Sequence, residues 1–97
     1  MLEIQLQNSS EAEEYLRDNK SKFFILLVDA VEDSYDYDLE SLLVARIELV
    51  EESINMDITV DKENWGVTLD LAIEHYTETE EFEQCIRINE VRDKVGL

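Results

Sequence analysis

The chain has 97 residues, 44% of them hydrophobic, and a formal net charge of −17. That apolar share is enough for one domain with a real core and excludes a disordered acidic tail. So negative a field repels nucleic acid and anionic membranes and attracts basic partners.

Leu2, Ile4 and Leu6 alternate with polar residues and read as a short strand or extended arm. Asn8, Ser9 and Ser10 offer caps, and Ser10 with Glu13 has capping-box spacing ahead of a helical stripe of Ala12, Tyr15 and Leu16. The run KFFILLVDAV suits either a buried strand paired with residues 2–7 or a helix after a Ser21 cap; the helix is favoured. Asp38 is placed to cap LESLLVARIELVEESIN, in which Leu39, Leu43, Ile47, Val50 and Ile54 keep one face, with Leu42 widening it. This segment is taken as the central core helix. MDITVDKEN reads as a connector, with a short strand at residues 56–60 as its ordered option. Trp65, Leu69, Ala72, Ile73 and Tyr76 share a helical face, TETEEF interrupts it, and Phe82, Cys85, Ile88, Val91 and Val95 mark a last helix stopped at Gly96.

The predicted architecture is therefore mainly α. It is a single domain over residues 1–97, a compact bundle of four to five short helices ending in an αα-hairpin. The absence of Pro, with Gly only at positions 66 and 96, favours it. The alternative is α+β, with a small sheet from residues 2–7, 22–29 and 56–60. AIEHYTETEEFEQC resembles the turn of a tetratricopeptide unit, with Ala72, Tyr76, Phe82 and Cys85 at comparable positions. One unit of fourteen residues implies a helical hairpin and no function, because an array needs at least three. FEQCIRINEVRDKV resembles the short helical hairpin motif of nucleotide-excision-repair proteins, but the spacing from Phe82 to Arg92 is about one helical turn longer.

MLEIQLQNSS has no charged n-region or apolar h-region, so no signal peptide is expected. The longest apolar run, Phe23 to Val28, is too short to span a bilayer. Cys85 stands alone, which excludes an intrachain disulfide and fits a cytoplasmic setting.

Enzymatic signals are weak, and the chain reads as a non-enzyme with no cofactor. Asp29, Asp33 and Glu40 fall at positions one, five and twelve of a calcium loop, but Val31, Ser34 and Asp36 break it at three, six and eight. With one histidine, His75, and one thiol, Cys85, a zinc or di-iron site is unsupported. His75 is expected to be a partly exposed helix residue and Cys85 a small buried one.

Charge carries the functional expectation. Residues 1–31 sum to −3, residues 32–86 to −15 and residues 87–97 to +1. On helices, the rows Glu74–Glu78–Glu81 and Glu48–Glu51–Glu52 would space carboxylates about 6 Å apart, comparable with phosphates along a duplex. Glu32, Asp33, Asp36, Asp38 and Glu40 add to that surface, with Tyr35, Tyr37 and Tyr76 as candidate anchors. The chain resembles, in size and charge, the small acidic phage-type inhibitors that mimic nucleic acid. The expectation is a binding protein that blocks a basic partner such as a nucleic-acid-binding enzyme, without touching nucleic acid or membrane itself. The alternative is a helical adaptor or regulatory subunit that uses an apolar groove. Crowded carboxylates are also expected to raise one another's pKa.

Overall fold

The structure, a computed structural model, describes residues 1–97. Strand β1 (Leu2–Leu6) leads to helices α1 (Ser9–Asp18) and α2 (Lys20–Asp36). Strands β2 (Ser41–Leu49) and β3 (Ile54–Asp61) form a hairpin, and a 3-10 turn at Lys62–Asn64 opens onto α3 (Trp65–Glu78) and α4 (Phe82–Val95). The fold is α+β, not mainly α. Its three-stranded sheet has the order β1-β2-β3, with β1 parallel and β3 antiparallel to the central β2. Parallel neighbours cannot be joined by a tight turn, and α1 with α2 supplies the crossover.

Residues 39–55 are thus corrected from a core helix to a strand, a turn and the start of a second strand. Ala45, Ile47 and Leu49 are buried while Arg46 and Glu48 are exposed, which is strand alternation. A bulge between Leu43 and Ala45 inserts Val44, so two consecutive residues point into cores and the period is broken at its start. Ser53, with φ at 52°, makes the hairpin turn. The sheet alternative had residues 2–7 and 56–60 right, but residues 22–29 belong to α2, and the missing strand is β2.

The inner sheet face is Ile4, Leu6, Ile47, Leu49, Met56 and Ile58, covered by Ala12 and Leu16 of α1. The outer face is exposed and polar. There Glu3, Arg46 and Asp57 sit side by side across the three strands, and Arg46 Nε donates to Asp57 at 2.8 Å. A second core joins Val28 and Val31 of α2, Leu69, Ala72 and Tyr76 of α3, and Ile88 and Val91 of α4 to Val44 and Val60. Full burial of each Val, Leu or Ile among these contributes about 1.5–3 kcal/mol. The two cores lie side by side in a plate of 43 × 32 × 17 Å, which leaves most of the chain near its surface.

Local signals account for the helices. Asn8, rather than Ser10, caps α1 by accepting from the Glu11 N–H at 3.0 Å, while the Glu11 carboxylate accepts from the Gln7 N–H at 2.7 Å. Asn19 ends α1 and begins α2, so Ser21 lies inside the helix. Gly96, at φ 83°, takes the left-handed position that stops α4. No helix is long and apolar enough to cross a membrane.

Candidate interaction surfaces

The carboxylates expected to act together are dispersed to three places. Glu51 and Glu52 occupy the β2–β3 turn, with Glu48 on the outer sheet face, so they form no helical row. All three are engaged within the fold. Gln5 donates to Glu48 at 3.3 Å and Asn8 to Glu51 at 3.2 Å. The Ser9 N–H and hydroxyl donate to Glu52 at 3.1 and 2.9 Å. Glu74 and Glu78 keep their i,i+4 row on α3, but Glu81 lies beyond the turn and accepts from Thr79 Oγ1 at 2.6 Å. Tyr76 is 1% exposed, and its hydroxyl donates to the Ser21 carbonyl at 2.5 Å, so it is a core residue and no anchor. Burial, and then the charge of Glu81, pushes the Tyr76 phenol up to about 12.

The third place is the end of α2. Glu32 and Asp36 are partly neutralised there: Lys94 lies 3.3 Å from Glu32 and 3.0 Å from Asp36, and Arg87 reaches Asp29 at 2.5 Å and Glu32 at 3.8 Å. Asp33, Asp38 and Glu40 have no cation partner within ion-pair distance. Asp38 caps no helix; it stands in the connector with φ at 54°, a conformation that Asp tolerates better than most residues. Tyr35 and Tyr37 beside it are 45% and 75% exposed. The Leu39 N–H donates to the Ser34 carbonyl at 2.8 Å and the Lys62 N–H to the Glu40 carbonyl at 2.9 Å. Ser41 Oγ also donates to Asp61 at 2.7 Å. These bonds bring Asp61 and Glu63 to the same end of the molecule as Asp33, Asp38 and Glu40, a convergence that only the strand pairing creates.

Across the whole chain, six of the 25 carboxylates pair with a base, leaving 19 without one. The carboxylates whose pKa clearly moves go down rather than up. Hydrogen bonds from the backbone and hydroxyl of Ser9 lower Glu52, and the hydrogen bond from Arg46 lowers Asp57. At these two sites direct hydrogen bonding outweighs desolvation, and no neighbouring carboxylate raises either group, contrary to the expectation from composition.

His75 is buried rather than partly exposed. It stacks on Phe24 with centroids 5.1 Å apart, and its Nε2 lies 2.7 Å from Ser21 Oγ. Cys85 is partly buried, with its sulfur near the Thr77 hydroxyl and the Ile73 carbonyl. Asp29 and Asp33, set as calcium-loop positions, lie on α2, where they cannot wrap an ion as a loop does.

A different surface lies at the α1–α2 joint. Leu16, Phe23, Phe24, Leu27 and Ile58 line an open apolar groove of about 450 Å³ with Arg17 and Lys20 on its rim. No protein-family model, curated protein or solved structure matches this chain.

Proposed function

We propose that this chain is a non-catalytic acidic binding protein that docks the end of α2 onto a basic, nucleic-acid-binding face of a partner protein and competes there with nucleic acid. One observation carries the reading: the exposed Tyr35 and Tyr37 stand among carboxylates without cation partners, Asp33, Asp38 and Glu40, joined by Asp61 and Glu63 from the β3–α3 passage. Exposed tyrosines supply contact area at low entropic cost, and unneutralised carboxylates steer a basic partner and set its orientation. A cytoplasmic setting belongs to the same reading, since the partner's nucleic acid is there. Glu32 and Asp36 are not in the proposed contact because Arg87 and Lys94 neutralise them, and Glu48, Glu51 and Glu52 are not because they lie at the end of β2 and in the β2–β3 turn, away from the α2 end.

The test is capture of partners from the native host at low salt on immobilised protein, followed by elution with duplex DNA or RNA. Release of a nucleic-acid-binding protein by the competitor supports the reading, as does loss of capture by the Asp33→Asn/Asp38→Asn/Glu40→Gln variant. Partners that are retained at high salt and ignore the competitor contradict it.

A further inference from the structure

We propose that the groove at the α1–α2 joint binds one free aliphatic carboxylate, the anion of a medium- or long-chain fatty acid. Its walls are apolar side chains from three elements, Leu16 of α1, Phe23, Phe24 and Leu27 of α2, and Ile58 of β3. Its rim is cationic, and of the eight bases in the chain only Lys20, Lys22 and Lys62 have no carboxylate within 4.0 Å, two of them at this joint. Arg46, Arg87, Arg92 and Lys94 are each held by a carboxylate. Lys20 has no carboxylate partner within 4.0 Å, and Arg17 meets only its neighbour Asp18 at 3.6 Å, with both side chains mostly in water. Across Phe23 a second apolar groove, of about 400 Å³, carries Lys22 on its edge, so the pairing of apolar wall with free cation occurs twice at one joint.

An apolar cleft with cations at its mouth complements a ligand with an apolar body and an anionic head. The volume of about 450 Å³ falls within the range of small-ligand sites. A net charge of −17 opposes approach to an extended anionic bilayer, whereas a single carboxylate has to meet only the local cations Arg17 and Lys20. Lys20 has one competitor. Glu74 and Glu78 line a smaller cleft on its other side together with His75, and neither carboxylate closes an ion pair with it. Removing those carboxylates therefore leaves more of the Lys20 charge for the ligand. The site is separate from the α2 end and stands or falls without the proposed function.

The experiment is a titration of the folded chain with decanoate below its micelle concentration, followed by amide chemical shifts. Decanol, decyltrimethylammonium and anionic vesicles serve as controls. Saturable shifts confined to Leu16, Phe23, Leu27, Ile58 and their neighbours are expected. Octanoate should bind about fivefold to fifteenfold more weakly than decanoate, from the loss of two methylenes. Arg17→Gln/Lys20→Gln should weaken decanoate roughly three- to tenfold without loss of the folded spectrum, and Glu74→Gln/Glu78→Gln should tighten it. Decanol or the cationic amphiphile binding as well as decanoate would overturn the proposal, as would absent or dispersed shifts. Binding to vesicles alone, or groove shifts that track protein concentration without ligand and so report a second copy, would also overturn it.

Discussion

His75 Nε2 lies 2.7 Å from the hydroxyl of Ser21, fifty-four positions earlier in the chain. One residue on, Tyr76 donates its hydroxyl to the carbonyl of the same serine. Two adjacent side chains of α3 are thus latched to the first turn of α2, with Phe24 stacked on the imidazole. This latch sits where the two helical layers have to meet, and its removal should loosen the αα-hairpin from the rest of the fold. Ser21→Ala leaves the imidazole without its partner and should cost about 1–2 kcal/mol, and Tyr76→Phe about 1 kcal/mol. Ser21→Ala/His75→Phe should cost less than the two single changes together, because both polar partners go at once. Urea unfolding midpoints at constant slope measure all of these.

Ser34 points the other way. It is fully buried on α2 and its hydroxyl has no hydrogen-bond partner. Burying an unpaired hydroxyl is unfavourable. Ser34→Ala should therefore leave stability unchanged or raise it by about 1 kcal/mol, again read from the urea midpoint; a loss of more than that would show that the hydroxyl is satisfied in solution.

The helices were legible in the sequence and the central strand was not. Asn8 and Gly96 are local signals, and α1, α3 and α4 follow from them and from apolar spacing, whereas the break at Asn19 is not read in the sequence, where Ser21 stands as the cap. VARIEL does alternate, but Ala45 contributes little hydrophobic signal and the bulge at Val44 shifts the phase, while Leu39, Leu43, Ile47 and Val50 fall by accident on a helical face. Missing β2 also hid the convergence of Asp61 and Glu63 with the α2 end, because hairpin pairing alone brings those segments together. The Ser21–His75 contact had no signal in sequence; a long-range side-chain pair leaves no periodicity.

Acid stability follows from Asp57 and Glu52. Both folded pKa values are lowered from ordinary values of 3.8 and 4.5. A lowered carboxylate adds stability that is fully present above its unfolded pKa and is lost as pH falls through its folded one. The stability advantage of the native chain over Asp57→Asn/Glu52→Gln should be constant near neutrality and close as pH drops below about 4. Thermal melts of both proteins across that range check it, and an advantage that widens on acidification would reverse the sign.

The tyrosines separate contact from packing. Tyr35→Ala and Tyr37→Ala remove exposed side chains and should change stability by no more than about 0.5 kcal/mol while weakening the partner. Tyr76→Ala opens the helical core, and by analogy with other buried aromatics should cost about 3–5 kcal/mol. Denaturation midpoints and binding measured on the same three proteins distinguish the two roles.

The most direct measurement of charge-driven docking is the affinity for the captured partner as a function of salt. Between low and high ionic strength the dissociation constant should rise by about tenfold or more, mostly through slower association. The Asp33→Asn/Asp38→Asn/Glu40→Gln variant should start weaker and show a shallower dependence. An affinity that stays flat with salt, and is the same in the variant, would contradict docking through the acidic end of α2.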